Sequence, residues 1–207
     1  MAEVAQKLRY QRGQFVYRQG EGGGHLFRAD TGLVRLVQLT PRGRTLTVRH
    51  VLPGDYFGED SLTGHTHPQG AEALTNATIT TFDPTELDER TLLDVARNLG
   101  EELQRTITHE VHLQSGDLRV RVVRYLLELA DTALGAEDTE DRLYVRATHE
   151  LLAEGTGSTR ESVSKVITEL RDAGLIETGY RHLTLLRLGE LREIAARASQ
   201  PNGEEKV

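Results

Sequence analysis

The residues from Ser158 to Leu170 have the types and spacing needed to read the edges of DNA bases. Arg160 can offer two parallel donors to the O6 and N7 of a guanine, and Glu161 can accept from the amine of a cytosine in the major groove. Lys165 follows one helical turn later and can reach a second base or a phosphate. We therefore predict that Arg160, Glu161 and Lys165 are base-reading residues.

Such side chains need a helix that buries its other side. At about 100° per residue the segment separates into a polar face and an apolar stripe, and the stripe consists of Val163, Val166, Ile167 and Leu170. A purely structural interpretation also fits, in which Ser158 and Glu161 form a capping box and Glu161 pairs with Lys165. The flanking segments favour DNA binding over a solvated helix.

A shorter helix is predicted immediately upstream. Thr148 is its expected N-cap, and the helix runs to Glu154. The Gly155-Thr-Gly157 segment is expected to break it, because glycines supply the backbone freedom that a tight turn between helices requires. Together the two segments predict a helix-turn-helix.

The segment after the predicted reading helix indicates a wing. Gly174 is a helix stop, and residues 175–186 alternate like two short strands around a turn at Gly179 to Arg181. Arg181 and His182, near the tip, are candidates for contact with the DNA backbone, although a polar hairpin tip is ordinarily solvated. A short amphipathic helix at 188–195 and a polar, disordered tail from Ser199 are expected to follow.

Composition excludes several classes of protein. The 207 residues include no cysteine, which rules out a disulfide, a thiolate-held iron–sulfur cluster and a cysteine zinc site. The net charge of −7 argues against non-specific coating of nucleic acid. No apolar run approaches the ~20 residues that span a bilayer, and no signal-peptide region is visible, so we expect a soluble cytoplasmic protein without membrane contact.

The first half of the chain predicts a β-domain. Short alternating runs at 32–39, 46–52 and 77–82 are separated by turns rich in glycine and proline. Many short strands with frequent turns favour an antiparallel barrel or jelly roll. The predicted fold class is therefore α+β, with an N-terminal antiparallel β-roll, a long dimerisation helix and a C-terminal winged helix-turn-helix.

The long helix is indicated by a change of period near Glu86. Its predicted seam alternates spacings of four and three and consists of Leu92, Ala96, Leu99, Leu103, Thr106, Glu110 and Leu113. A seam of this length set between two small domains favours pairing with a second copy, and docking on the chain's own β-domain is the alternative. Ser115-Gly-Asp117 is expected to form a hinge, with Asp117 capping a helix over 118–130.

This order of elements resembles the cyclic-AMP receptor/fumarate–nitrate regulator superfamily of bacterial transcription factors. The strongest marks are residues 54–59 in the roll, Asp117 after the hinge, and residues 152–163 in the reading head. The resemblance aligns the three base-reading residues with those of the family and sets Thr148, Thr159 and Ser162 near the phosphate backbone. It implies a homodimer on a TGTGA-like pseudo-palindrome, with half-sites about 34 Å apart.

The resemblance also implies an effector pocket, which departs from that of the cyclic-nucleotide members. Gly58, Glu59 and Thr106 match, but Ile107 replaces a serine, and the expected Arg-Ser pair corresponds to residues 67–70. A cyclic phosphate would lack the charged fork that offsets its desolvation. We expect a vestigial pocket, no cofactor and no need for cyclic AMP. The alternative is a cyclic-nucleotide-dependent regulator with unusual pocket chemistry.

Two further alternatives involve a metal. A haem or metal sensor could use His109 and His112, spaced by one helical turn, and a cupin-type metalloenzyme could use His65, His67 and Glu72. The cupin pattern is incomplete because position 79 is isoleucine where glycine is expected, and we expect the two roll histidines to be solvated. We predict no metal site and no enzyme activity.

The predicted domains are a sensor-like roll at 1–90, a dimerisation helix and hinge at 91–116, a DNA-binding domain at 117–199 and a tail at 200–207. By resemblance the protein is expected to be an activator that contacts RNA polymerase. The contact is expected at the exposed loop from Gly135 to Arg142, which contains a cluster of acidic residues.

Overall fold

The computed structural model describes residues 6–114 and 116–197, with side chains described outside 112–114 and 197. The chain divides into two compact units, Met1–Ile107 and Thr108–Val207. The boundary falls inside one long helix, α1 (Glu89–Gln114). No helix among the described residues is long and apolar enough to cross a membrane. The predicted tail from Ser199 lies outside the described residues.

The first unit is the predicted antiparallel roll. Its described strands form two four-stranded sheets, ordered β1-β8-β3-β6 and β2-β7-β4-β5. The bounds are β1 Gln6–Tyr10, β2 Phe15–Tyr17, β3 Leu26–Thr31, β4 Val34–Leu39, β5 Thr45–Val51, β6 Tyr56–Phe57, β7 Gly70–Ala73 and β8 Ala77–Phe82. A short 3-10 helix, Glu59–Thr63, follows β6. The predicted runs at 32–39, 46–52 and 77–82 are confirmed as β4, β5 and β8.

The core of the roll is filled by alternate side chains of the strands, as expected where each strand has one buried face. Aromatic rings dominate it, and Tyr17, Phe27 and Phe57 stack at centroid separations of 5.3–6.1 Å. His67 joins this cluster. It is 2% exposed, and its ring lies 3.7 Å from that of Tyr17. The expectation that His67 is solvated is wrong, because its ring stacks on Tyr17 and its amide donates to the carbonyl of Glu21 at 2.9 Å.

Helices and a small sheet build the second unit. The helices that follow α1 are α2 Leu118–Ala130, α3 His149–Thr156, α4 Arg160–Asp172 and α5 Leu188–Arg197. The strands are β9 Gly135–Glu137, β10 Leu143–Val145, β11 Ile176–Gly179 and β12 His182–Leu185, ordered β11-β12-β10-β9. α2 packs against α3, α4 and α5. Asp117 caps α2 by accepting from the amide of Val120, which confirms the predicted start of that helix.

The turn between α3 and α4 differs from the expected one. Gly155 does not break α3 but lies inside it, and the helix ends at Gly157 with φ +63°. Gly155 is buried against Tyr125 of α2, where a Cβ would come 2.0 Å from the ring carbon Cζ. The glycine is therefore needed for close approach of two helices, and only Gly157 serves the turn.

We expect Gly155→Ala to lower the free energy of unfolding by about 1–2 kcal/mol, because overpacking at Tyr125 exceeds the gain in helix propensity. Gly100→Ala is the matched control. Gly100 lies inside α1 with open space at its Cβ position, so alanine should stabilise the helix by about 0.5–1 kcal/mol. Urea denaturation followed by circular dichroism measures both. Equal effects of the two substitutions would contradict the packing role of Gly155.

Candidate nucleic-acid interface

The two faces of α4 separate as the sequence predicted. Val163, Val166, Ile167 and Leu170 are all buried, in the helix that packs on α3 and α2. Arg160, Glu161 and Lys165 are exposed on the other side. Within the part of the chain that the structure describes, no ion pair joins Glu161 to Lys165, so the pairing that the structural interpretation supposed is absent. The three charged groups are available to an external partner.

The start of α4 is capped by a different residue from the one that the structural interpretation supposed. Thr159 is the N-cap and accepts from the amide of Ser162, so the capping box of Ser158 and Glu161 is wrong. Ser158 belongs to the preceding turn, because its amide donates to the carbonyl of Ala153 at 3.0 Å. Helix α4 therefore begins at Arg160, and both Arg160 and Glu161 lie in its first turn.

Three of the five predicted backbone-contact residues, Thr148, Thr159 and Ser162, lie at two helix N-termini. Thr148 caps α3 by accepting from the amide of Leu151, as expected. The hydroxyl of Thr159 also donates to Ser162 Oγ at 3.0 Å. The dipoles of α3 and α4 place partial positive charge at these ends, where an anionic oxygen is favoured. All three predicted residues are half-buried.

The wing is the hairpin of β11 and β12, turning at Tyr180 and Arg181. Arg181 is exposed and has φ +60°, so it occupies the tightest point of the turn. His182 is half-buried, with its ring 5.5 Å from that of Tyr144 and its Nδ1 3.2 Å from the carbonyl of Tyr180. The structure therefore leaves Arg181 open at the tip and holds His182 against the sheet.

Helix α1 uses one face to pack within the first unit, as the docking alternative supposed. Val95 is 2% exposed and packs with Leu26 and Tyr56 of the roll. Asn98 donates to Asp55 at 3.0 Å and accepts from the amide of Tyr56 at 2.8 Å. Docking on the roll therefore accounts for the buried stripe of α1 but not for the predicted seam.

Most of the predicted seam lies on the exposed side of α1. Leu92, Ala96, Leu103, Thr106 and Glu110 are exposed, and Leu99 is partly buried against the roll. The side chain of Leu113 lies outside the described residues. The exposed side also carries Leu93, Ile107 and Val111. Ile107 directly follows Thr106 in the sequence, and Val111 directly follows Glu110. A large apolar surface therefore accompanies the predicted seam.

A charged network that sequence reasoning missed adjoins Glu59 of the predicted effector pocket. Gly58 has φ +76° and precedes the 3-10 helix that begins with Glu59. Glu59 lies 3.5 Å from Arg49, and Arg49 donates to Glu102 of α1 at 2.5 Å. Arg49 and Glu102 are largely buried, with side chains 11% and 7% exposed. Arg49 therefore links the roll to the helix by an internal ion pair.

The network extends along α1 through a second arginine. Arg105 binds both carboxylate oxygens of Asp55, at 2.8 and 3.1 Å, and also pairs with Glu102. Burial disfavours the charged form of Arg105, but the hydrogen bond to Asp55 and the nearby carboxylates outweigh burial and raise its pKa. The sequence spaces Asn98, Glu102 and Arg105 by four and three residues. This polar face of α1 could therefore have been predicted from the sequence.

The residues of the cupin alternative do not converge. His67 contacts Asp60 at 3.3 Å, His65 is exposed and contacts Thr63, and Glu72 pairs with Arg35. His109 lies 4.0 Å from Glu128, and the side chain of His112 is outside the described residues. Among the described residues, no group of three or more histidines and carboxylates could hold a metal ion.

Comparisons with known proteins agree with this architecture. Residues 7–90 match the family model of the cyclic nucleotide-binding domain, and residues 120–194 match that of the Crp-like helix-turn-helix domain. The transcriptional regulator LdrP of Thermus thermophilus is 48% identical over 190 residues, which cover 92% of this chain and 97% of LdrP. The transcriptional regulator SdrP of the same species is 35% identical over 97% of this chain and 99% of its own length.

Solved structures give the same result. The crystal structure of TTHB099, a CRP-family transcriptional regulator from Thermus thermophilus, matches with a TM-score of 0.89 and 47% identity. The match covers 93% of this chain and 98% of that structure. The similarity therefore spans both units and α1.

Proposed function

The chain belongs to the CRP/FNR family of transcriptional regulators, and on that premise we propose that it is a homodimeric activator that binds a TGTGA-like pseudo-palindrome without cyclic AMP. DNA binding and transcription regulation follow from the family. The operator, the dimer, the activation and the independence from an effector are proposals. We also propose that the protein is cytoplasmic, where the DNA is, and that its DNA-binding domain covers residues 117–199.

The observation that carries the proposed operator is the orientation of α4. Its apolar stripe is buried, so Arg160, Glu161 and Lys165 point away from the domain. A recognition helix contacts bases with its N-terminal residues, and Arg160 and Glu161 occupy the first turn. We assign Arg160 to a guanine, Glu161 to a cytosine amine, and Lys165 to a further base or a phosphate.

Backbone contacts would fix the register of this helix on the duplex. We assign them to Thr148, Thr159 and Ser162 at the two helix N-termini, where amides and the helix dipole favour an anion. On the wing, Arg181 is exposed at the tip and is the stronger candidate, while His182 is half-buried beside Tyr144. These contacts position the protein and carry no base preference.

Selection of bound DNA from a random pool, with no effector present, should recover two half-sites about 34 Å apart. Arg160→Ala should cost about 1–3 kcal/mol and relax the preference at one G·C pair in each half-site. Arg171→Ala is the matched control, because Arg171 ends the same helix and pairs with Asp172. It removes the same charge and should leave the base preference intact. Unchanged preference in Arg160→Ala would refute the assignment.

Dimerisation is proposed through the exposed side of α1. Leu103 is 58% exposed and Ile107 49% exposed, although both are large apolar residues inside a long helix. In coiled coils, apolar side chains repeated at this helical spacing pack against a second helix and are buried there. An interface between two copies is isologous, so the same stripe serves both protomers and sets two reading heads on one two-fold axis.

Leu103→Glu should convert the protein to a monomer, because two carboxylates would face each other across the symmetric interface. Leu39→Glu is the control, since Leu39 is 57% exposed at the end of β4 and does not belong to α1, so its replacement should leave the dimer intact. Analytical ultracentrifugation over a range of concentrations distinguishes the two. A wild-type protein that is monomeric at micromolar concentration would contradict the proposal.

Independence from cyclic AMP is proposed from the charge network around Glu59. A cyclic nucleotide needs a cationic fork for its phosphate, and none is supplied by the His67 to Gly70 segment. The nearby cation, Arg49, is committed to Glu102, and Glu59 lies beside it. The network already connects the roll to α1, which is the connection that a ligand bound between them would make. The protein would then be controlled by its abundance.

Saturating cyclic AMP should change operator affinity less than about twofold, well below the 5- to 150-fold range that is typical of allosteric coupling. Fluorescence anisotropy with labelled operator measures this, and a cyclic-AMP-activated member of the family is the positive control. Calorimetric titration of cyclic AMP into the free protein should show no saturable heat. A large, saturable gain in affinity would establish the nucleotide-dependent alternative.

Activation is proposed to involve RNA polymerase at the hairpin of β9 and β10. Asp138 organises its turn by accepting from the amides of Glu140 and Arg142, and its carboxylate also binds the Arg142 guanidinium. The amide of Arg142, and then that of Glu140, help to lower the pKa of Asp138. The exposed loop is thus an ordered acidic surface, suited to a basic partner.

A further inference from the structure

A hydrogen-bonded chain connects the first residue of α3 with the first turn of α4. His149 Nδ1 lies 2.8 Å from Ser164 Oγ, and the Ser164 hydroxyl donates to the carbonyl of Arg160 at 2.9 Å. His149 and Ser164 are both half-buried. The chain therefore runs from one helix, through a serine, to the backbone of the proposed guanine-reading arginine.

The direction of each hydrogen bond follows from counting protons. A serine hydroxyl has one hydrogen, and Ser164 uses it for the Arg160 carbonyl. The hydrogen between His149 and Ser164 must then come from the ring, so His149 carries its proton on Nδ1. Burial, and then the positive charge of Arg160, lower the pKa of His149, which favours the neutral ring near neutral pH.

This arrangement gives Ser164 a structural task on the outward side of α4. Its hydroxyl proton is committed to Arg160, and its oxygen accepts from His149, so it does not read a base. A serine bonded to the carbonyl four residues earlier can bend a helix locally. The link to His149 fixes that turn of α4 against α3, and with it the backbone from which the Arg160 side chain extends.

We propose that His149 is a positioning residue for DNA reading, which acts through Ser164 to hold Arg160 in the orientation that recognises its base. The proposal rests on the proposed function, and it adds a residue outside the base-reading set. The proposal also distinguishes two ways in which a histidine could affect DNA binding. A phosphate contact would alter affinity uniformly for all sequences, whereas a positioning residue alters discrimination at one base pair.

The test compares two operators, the selected sequence and the same sequence with the guanine assigned to Arg160 replaced. His149→Ala should lower discrimination between them about three- to tenfold, within the range for coupled neighbours. His149→Asn should restore most of it, because the asparagine amide can donate from near the position of Nδ1. In the Arg160→Ala background, His149→Ala should have no further effect on discrimination. The slope of affinity against salt concentration should not change.

His65→Ala is the matched control, because His65 also contacts a hydroxyl, that of Thr63 at 2.7 Å, but lies in the first unit. It should leave discrimination unchanged. Nitrogen NMR of the free protein should show a neutral His149 protonated at Nδ1, a readout that needs no DNA. Thermal melts establish that each variant is folded.

Three outcomes overturn the proposal. They are equal weakening on both operators, full additivity of His149→Ala with Arg160→Ala, and a neutral ring protonated at Nε2. A wild-type protein that does not discriminate between the operators would instead refute the proposed function, and the positioning role with it. Discrimination lost in His149→Ala and regained in His149→Asn supports the positioning role.

Discussion

The burial of four apolar side chains on α4 is the constraint on which the reading head depends. Burying a valine, isoleucine or leucine contributes roughly 1.5–3 kcal/mol, so rotating α4 about its axis would cost several such contributions. The helical period then determines which residues of α4 face outward. Gly155 makes this arrangement possible, because the close approach of α3 to Tyr125 of α2 brings the helices together. The His149–Ser164 contact adds a directional bond to the non-directional apolar packing.

In the first unit, a network of charged groups joins the apolar packing of Val95 in linking the roll to α1. The network consists of Asp55, Arg49, Glu102 and Arg105, of which all but Arg105 are largely buried. Such pairs stabilise little compared with apolar packing, but they require a specific geometry, since removing one partner leaves an uncompensated buried charge. This charge network therefore favours one orientation of α1 on the roll. The opposite side of the same helix keeps its apolar residues exposed, so the two sides have separate tasks.

Local features were predicted well from the sequence, and non-local ones were not. The strands β4, β5 and β8, the cap at Asp117, helix α2 and the faces of α4 follow from period and capping, which act over a few residues. Gly155 was misinterpreted as a turn residue because its partner, Tyr125, is thirty positions away in the chain. His67 was expected to be solvated because it lies among turn residues, yet its ring is buried against Tyr17 of the aromatic core. Arg49 and Glu102 were missed because only the fold brings a strand and a distant helix together.

The arginine–carboxylate network also affects how the attachment of α1 to the roll responds to temperature. The cost of removing charges from water falls as temperature rises, whereas apolar stabilisation per unit area levels off. An attachment made of Arg49, Glu102, Arg105 and Asp55 should therefore lose less of its strength on warming than one made only of aliphatic contacts. Because these groups are part of the chain, heat cannot release them into solution as it releases a metabolite.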